Sequence, residues 1–207
     1  MIIASAVANL QTLIRSHSGP VFLIAHSLGG AIALGAAEAQ SSNLAGMIIL
    51  DAGPRPTHPA DLERSDTEIE KEGLILIPES SDPESSAAIG VWVAEMAKNR
   101  RDQARLVRDF ASSNRDNLRA VLVDGRKLQL RLDPHKLTAP TLVLCAYAGS
   151  NDCAATLSDY KSRYMGFKEV TFHAISHSSH FLMLDHPQLV LDLVRSFLGQ
   201  RLRGLIT

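Results

Sequence analysis

Apolar and polar positions fall in blocks along this chain, and the blocks predict helices and strands in turn. Ile3, Val7, Leu10 and Ile14 recur at helical spacing with Arg15 near the end, so the first element is a helix. Val21-Phe22-Leu23-Ile24-Ala25-His26 is a short apolar run with the length of a strand. Ala31, Ile32, Leu34, Ala36 and Ala37 then return to helical character. Leu44 to Leu50 is apolar throughout, as suits a parallel strand buried on both faces, and it ends at Asp51 and the turn-rich Ala52-Gly53-Pro54-Arg55-Pro56. Residues 54–137 are more polar, with amphipathic helical pieces around Ala87–Met96 and Asp102–Phe110 and a loop at Pro78–Pro83. Strand character returns at Pro140–Ala146 and, with alternation, at Phe167–Ala174. A last helix follows from Pro187 to about Leu198, with Leu189, Leu191, Val194 and Leu198 as its apolar set. Alternating strands and helices predict an α/β fold, a mostly parallel sheet flanked by helices, in one domain over residues 1–207 with 54–137 as an insertion.

Composition narrows the function classes. The 207 residues are 45% hydrophobic and 21% charged, which is the balance of an ordinary globular domain. Lys and Arg total 21 against 22 Asp and Glu, a net charge of −1, so no field steers this chain onto nucleic acid; Arg100, Arg101, Arg105 and Arg108 read as the solvated face of a helix. Cys145 and Cys153 make neither a disulfide framework nor metal-ligand spacing, which sets a cytoplasmic setting and no bound metal as the expectation. No apolar run reaches membrane-spanning length, and the start lacks the basic flank of a signal peptide. No G-x-G-x-x-G or P-loop is present, so no cofactor is expected.

The candidate chemistry lies where the first strand turns into the second helix. Ala25-His26-Ser27-Leu28-Gly29 fits a nucleophile elbow, with alanine where the motif has its first glycine. Small residues two positions either side of Ser27 relieve the crowding of the tight turn, and Gly30 lets the helix pack closely on the sheet. The plain alternative is a strand-to-helix turn with an incidental serine. A serine hydroxyl needs a base, and eight histidines are available. His26 is beside Ser27 but points away from the hydroxyl, so its reading is packing. His180, in Ser176-His177-Ser178-Ser179-His180-Phe181, follows a strand and sits at the carboxyl edge that also carries Ser27. It is the candidate base, with His177 a weaker competitor and a helix-capping loop histidine the plain reading.

Ser27 in A-H-S-L-G-G, the segment Leu137-Thr138-Ala139-Pro140-Thr141-Leu142-Val143-Leu144, and His180-Phe181-Leu182-Met183-Leu184-Asp185-His186-Pro187 together resemble the α/β-hydrolase superfamily, in particular its single-domain serine esterases. The resemblance spans most of the chain and matches 54–137 only as a variable cap. It implies a serine hydrolase acting on a small-molecule carboxylic ester through an acyl-enzyme, with Ser27 as nucleophile, His180 as base and Leu28 N–H in the oxyanion hole. The acid is expected after the strand Thr141–Ala146, where Asp152 is the nearest carboxylate and takes first place. Asp51, at the end of the preceding strand, is the alternative, and the plain reading of Asp152 is a turn or N-cap aspartate. Leu74, Ile75, Leu76, Ile89, Trp92 and Met96 suggest a small apolar acyl or alcohol group, or else simply pack the cap. The resemblance also implies strands before the elbow and a His-Gly loop that this chain does not carry, so it reads as an N-terminally shortened member, a fragment of a longer product or half of an assembly that restores the sheet, with Val21–Ile24 an apolar edge suited to a homodimer. Lactonase or carbon–carbon bond hydrolase chemistry, and an inactive interaction module, are the alternative functions.

Overall fold

The computed structural model describes residues 2–54, 64–77, 83–149 and 153–204. Its centre is a sheet of four parallel strands in the order β1-β2-β3-β4, with β1 Val21–His26, β2 Leu44–Leu50, β3 Thr141–Tyr147 and β4 Val170–Ser176. The registers place Ile24 beside Ile48, Ile48 beside Leu142 and Leu142 beside Thr171. Parallel strands need crossovers, and here helices supply them: α2 Leu28–Ala37 between β1 and β2, and α7 Cys153–Arg163 between β3 and β4. The helix α1 Ile2–Ser16 precedes the sheet. A short α8, Leu182–Asp185, and the long α9, Pro187–Gly204, follow it.

Side chains of successive strand residues point to opposite faces, so each buried strand feeds two core layers. Met47 and Ile49 of β2, with Val143 and Cys145 of β3, join Ile14 of α1, Leu34 of α2 and Tyr160 and Tyr164 of α7. Ile48 and Leu50, with Leu142, Leu144 and Ile175, join Leu182 and the α9 residues Val190, Val194 and Phe197. The continuous apolar runs of β2 and β3 are thus explained by burial on both faces. In α1, Ile3 and Ile14 are buried and Val7 and Leu10 pack against the first layer, as the spacing predicts.

Several expectations are corrected. The face of α9 toward the sheet is Val190, Val194 and Phe197, whereas Leu189 and Leu191 are 41% and 40% exposed. Apolar residues flank this helix on both sides, and periodicity alone does not choose between them. The last strand starts at Val170 rather than Phe167, and α7 is a helix that the apolar pattern does not announce.

Among the described residues, four α-helices lie between β2 and β3: α3 Asp66–Leu76, α4 Pro83–Ala94, α5 Arg100–Ala111 and α6 Arg115–Arg131. Only α4 and α5 are predicted from the sequence, and most of the Pro78–Pro83 loop lies outside the described residues, Pro83 opening α4. Capping explains three starts. Ser65 and Glu68 form a reciprocal capping box at α3, and the Asn99 and Asn114 side chains accept from Arg101 N and Asn117 N at α5 and α6. Helix α6 packs against α1, α2 and α3, so this block is continuous with the core. Among the described residues β1 pairs with β2 alone, and Ile24 on β1 is 56% exposed.

Candidate active site

Ser27 sits between the last residue of β1 and the first of α2 with φ 53° and ψ −124°. A non-glycine residue in that region is strained by roughly 1–3 kcal/mol, and the surroundings must hold it there. They do so with hydrogen bonds on both sides: Ser27 N–H donates to Leu50 O over 3.1 Å, and Gly30 N–H donates to Ser27 O over 2.8 Å. A Cβ on Gly30 would lie 2.7 Å from Ala52 Cβ and 3.3 Å from Ile49 Cγ2, so the close approach of α2 to the sheet does require glycine there. Gly29 is different, because a Cβ added there meets nothing within 4 Å beyond its chain neighbours.

The structure brings Ser27, His180 and Asp51 into one line of hydrogen bonds. His180 Nε2 is 2.8 Å from Ser27 Oγ, and His180 Nδ1 is 2.8 Å from Asp51 Oδ2. A carboxylate only accepts, so Nδ1 carries the proton and Nε2 is left with a lone pair toward the serine hydroxyl. His177, the competitor, is exposed and has φ 52°, while its carbonyl accepts from the His186 ring over 3.2 Å.

The carboxylate on His180 is that of Asp51, where the sequence puts Asp152 first; Asp152 itself lies outside the described residues. The physical reason is the backbone at the end of β2. Asp51 has φ 46°, a left-handed turn directly after the strand. Its N–H donates to Leu144 O over 2.8 Å. Its Oδ1 accepts from Ala146 N–H over 2.9 Å and from Tyr160 O–H over 2.8 Å, leaving Oδ2 for the histidine. Burial pushes the Asp51 carboxyl up, but the hydrogen bonds from His180, Ala146 and Tyr160 outweigh it and hold the group below the ordinary carboxylate range. Burial and the neighbouring Asp51 raise the Tyr160 hydroxyl, which therefore stays protonated as the donor. Burial, with Asp51 next in effect, pushes the Cys145 thiol up to about 12, so it is no rival nucleophile.

Tyr160 is missed by sequence reasoning, because nothing local marks a residue on α7 as the partner of an aspartate on β2. The backbone beyond Asp51 is held in the same way. Tyr164 O–H donates to Ala52 O over 2.7 Å, and Gln129 Nε2 donates to Gly53 O over 2.8 Å.

Ser27, Leu28 and Asp51 line a cavity of about 300 Å³ whose other wall comes from α3 and α6, with Ile69, Gly73 and Val123 among its apolar members. Leu28 opens α2, and the first N–H groups of a helix have no acceptor within it. Gly125 of α6 gives Leu28 its room, since a Cβ there would collide with the leucine side chain. Of the apolar residues expected to shape a substrate pocket, four lie elsewhere and two have side chains that are not described. Ile89, Trp92 and Met96 pack with Val93, Ala97 and Leu106; Leu74 is 41% exposed; the Ile75 and Leu76 side chains lie outside the described residues. No group of three or more His, Cys, Asp or Glu placed to hold a metal ion occurs among the described residues, and no helix among them is long and apolar enough to cross a membrane.

A parallel sheet with a strained serine at the first strand-to-helix turn and a histidine after the last strand defines a hydrolase of the α/β type. The alpha/beta hydrolase family model matches residues 3–193, and the chain belongs to that family. No curated protein matches it. Among solved structures it is similar to an esterase from Exiguobacterium antarcticum, at TM-score 0.71 and 16% identity over 95% of this chain and 74% of that one. It is similar also to MenH from S. aureus, at TM-score 0.71 and 11% identity over 96% and 76%. A third is a thermophilic esterase from Thermogutta terrifontis, at TM-score 0.63 and 19% identity over 94% and 69%. Likeness at these identities is likeness of fold.

Proposed function

We propose that this chain is a serine hydrolase that cleaves carboxylic esters through an acyl-enzyme. The observation that carries the reading is the pair of 2.8 Å hydrogen bonds joining Ser27 Oγ to His180 and His180 to Asp51. Ser27 Oγ attacks the ester carbonyl carbon as its proton passes to His180 Nε2, giving a tetrahedral oxyanion and an imidazolium facing Asp51. Leu28 N–H, at the positive end of α2, donates to that oxyanion. The C–O bond to the alcohol breaks, and His180 returns the proton to the departing alkoxide. Water then gives a proton to His180 and its oxygen to the acyl carbon, and the acid leaves as Ser27 is regenerated. In this reading the whole chain is one domain, and residues 54–137 form the cap over the cavity beside Ser27.

Structural neighbours named as esterases support ester chemistry without naming the ester, and a panel of esters, lactones and carbon–carbon bonded substrates separates it from the alternatives. A fluorophosphonate probe should label the folded protein at Ser27 and not label Ser27→Ala, as read by mass spectrometry of the labelled peptide. Absence of labelling in the folded wild type, with no hydrolysis of p-nitrophenyl acetate or butyrate, would favour the inactive-module reading.

The proposed partners are a small ester and a second copy of the chain. The side of β1 that has no strand partner among the described residues and the exposed Ile24 support pairing of two chains edge to edge, because an apolar edge strand is a template for another strand. Sedimentation velocity over a concentration series should show a dimer that Ile24→Lys dissociates. A monomer at every concentration would remove this part of the proposal.

A further inference from the structure

His26 precedes Ser27 in the chain, yet its ring does not reach the serine. Its Nε2 lies 2.8 Å from the backbone carbonyl oxygen of His180. A carbonyl only accepts, so Nε2 carries a proton and donates it. The His26 and His180 rings are 4.5 Å apart at 43°, and Phe181 closes on the other side with its ring 4.7 Å from His26. The loop that carries His180 is anchored on either side of that residue. Ser178 N–H donates to Tyr147 O over 3.2 Å, Ser179 N–H to Asp185 Oδ2 over 2.7 Å and Phe181 N–H to Met96 O over 2.9 Å. Among the described residues, the hydrogen bond to the main chain of His180 itself is the one from the elbow strand.

We propose that His26 is a positioning residue, which ties the backbone of His180 to the strand that carries Ser27 and so sets the distance between base and nucleophile. This rests on the reading of Ser27 and His180 given above and adds a residue to it. The carbonyl bond fixes where the base is rooted, and the tilted ring contact fixes which way it faces. A displacement of about 1 Å between reacting groups is enough to cost a large factor in rate. The charge state suits the role. Burial, and then the neighbouring His180, lower the affinity of His26 for a second proton against the opposing effects of the His180 carbonyl bond and Asp51, so a neutral ring faces His180 when it becomes imidazolium.

The test compares His26→Phe, which keeps a ring and loses the N–H, with His26→Gln, whose Nε2 stands at nearly the same reach. In His26→Phe, kcat for p-nitrophenyl acetate should fall about fivefold or more with KM within about twofold, and His26→Gln should recover most of the loss. The low-field proton resonance of the His180 Nδ1–H, held by Asp51, should broaden or shift in His26→Phe and persist in His26→Gln. Unchanged kcat and resonance in His26→Phe would overturn the proposal, as would a loss in His26→Gln equal to that in His26→Phe. Should the phenylalanine variant fail to fold, a glutamine variant with less than half of wild-type kcat would overturn it alone. The resonance reports on His180 without turnover. A wild type that neither hydrolyses ester nor takes the Ser27 label therefore defeats the parent reading, while the resonance still decides this one.

Discussion

Ser27→Ala should lower kcat for p-nitrophenyl esters by several orders of magnitude, and His180→Ala should do nearly the same. The double variant should be scarcely worse than either single one. The serine hydroxyl is a weak nucleophile without a base, and His180 Nε2 at 2.8 Å is the base within reach. Groups that act as one unit do not contribute additively, so removal of either member forfeits what both supply. His177→Ala should keep kcat within about threefold, because that ring is exposed and its side chain takes no part in the line from Ser27 to Asp51. Steady-state kinetics on the wild type and the four variants is the measurement. A His177→Ala loss as large as that of His180→Ala, or appreciable activity in Ser27→Ala purified free of host esterase, would overturn the assignment.

How far the site could be read from sequence follows from how local each part is. Ser27 is legible because the apolar run of β1, the small residues around the serine and the apolar start of α2 are contiguous, and together they dictate a strand-to-helix turn. His180 is legible because a parallel sheet carries the ends of all its strands to one edge, so a histidine just after the last strand arrives near a serine just after the first. The acid is not decided that way. Asp51 follows β2, and Asp152 comes a few residues after β3 in the chain, and both strands end at the same edge, so topology does not choose between them. What favours Asp51 is the left-handed turn at φ 46° and two donors, Ala146 N–H and Tyr160 O–H, that hold one carboxylate oxygen and aim the other. None of these partners is near Asp51 in sequence, and a β-strand pattern carries no information about the torsion of the residue that ends it. The face of α9 is illegible for a related reason. Its leucines and its Val190, Val194 and Phe197 are equally apolar, and only the shape of the sheet chooses between them.

Asp51→Asn should lower kcat/KM by about three to four orders of magnitude at neutral pH, while Asp152→Asn should leave it within about threefold. An asparagine keeps the shape and one acceptor oxygen. With Ala146 N–H and Tyr160 O–H both donating to one position, that position retains the carbonyl oxygen and the amide NH₂ faces His180. His180 Nδ1 would then accept rather than donate, and its proton would move to Nε2, where the ring can no longer take the proton of Ser27. The same substitution has a signature in stability. Asp51 has a folded-state pKa held below its ordinary 3.8, so the unfolded chain binds the proton more readily than the folded one. The stabilisation this gives is full above 3.8 and drains away as the pH falls through the lower folded value. Asparagine does not titrate there, so the stability difference between wild type and Asp51→Asn should be constant at neutral pH and should narrow with acid, in the range of about pH 5 downward. Urea unfolding at stepped pH measures that difference, and the kinetics of the two variants measure the other. Should Asp152→Asn lose activity by orders of magnitude and Asp51→Asn keep it, the orienting carboxylate would be Asp152 and the Asp51 hydrogen bonds would be structural only; a stability gap that does not narrow in acid would mean that those bonds do not favour the ionised carboxylate.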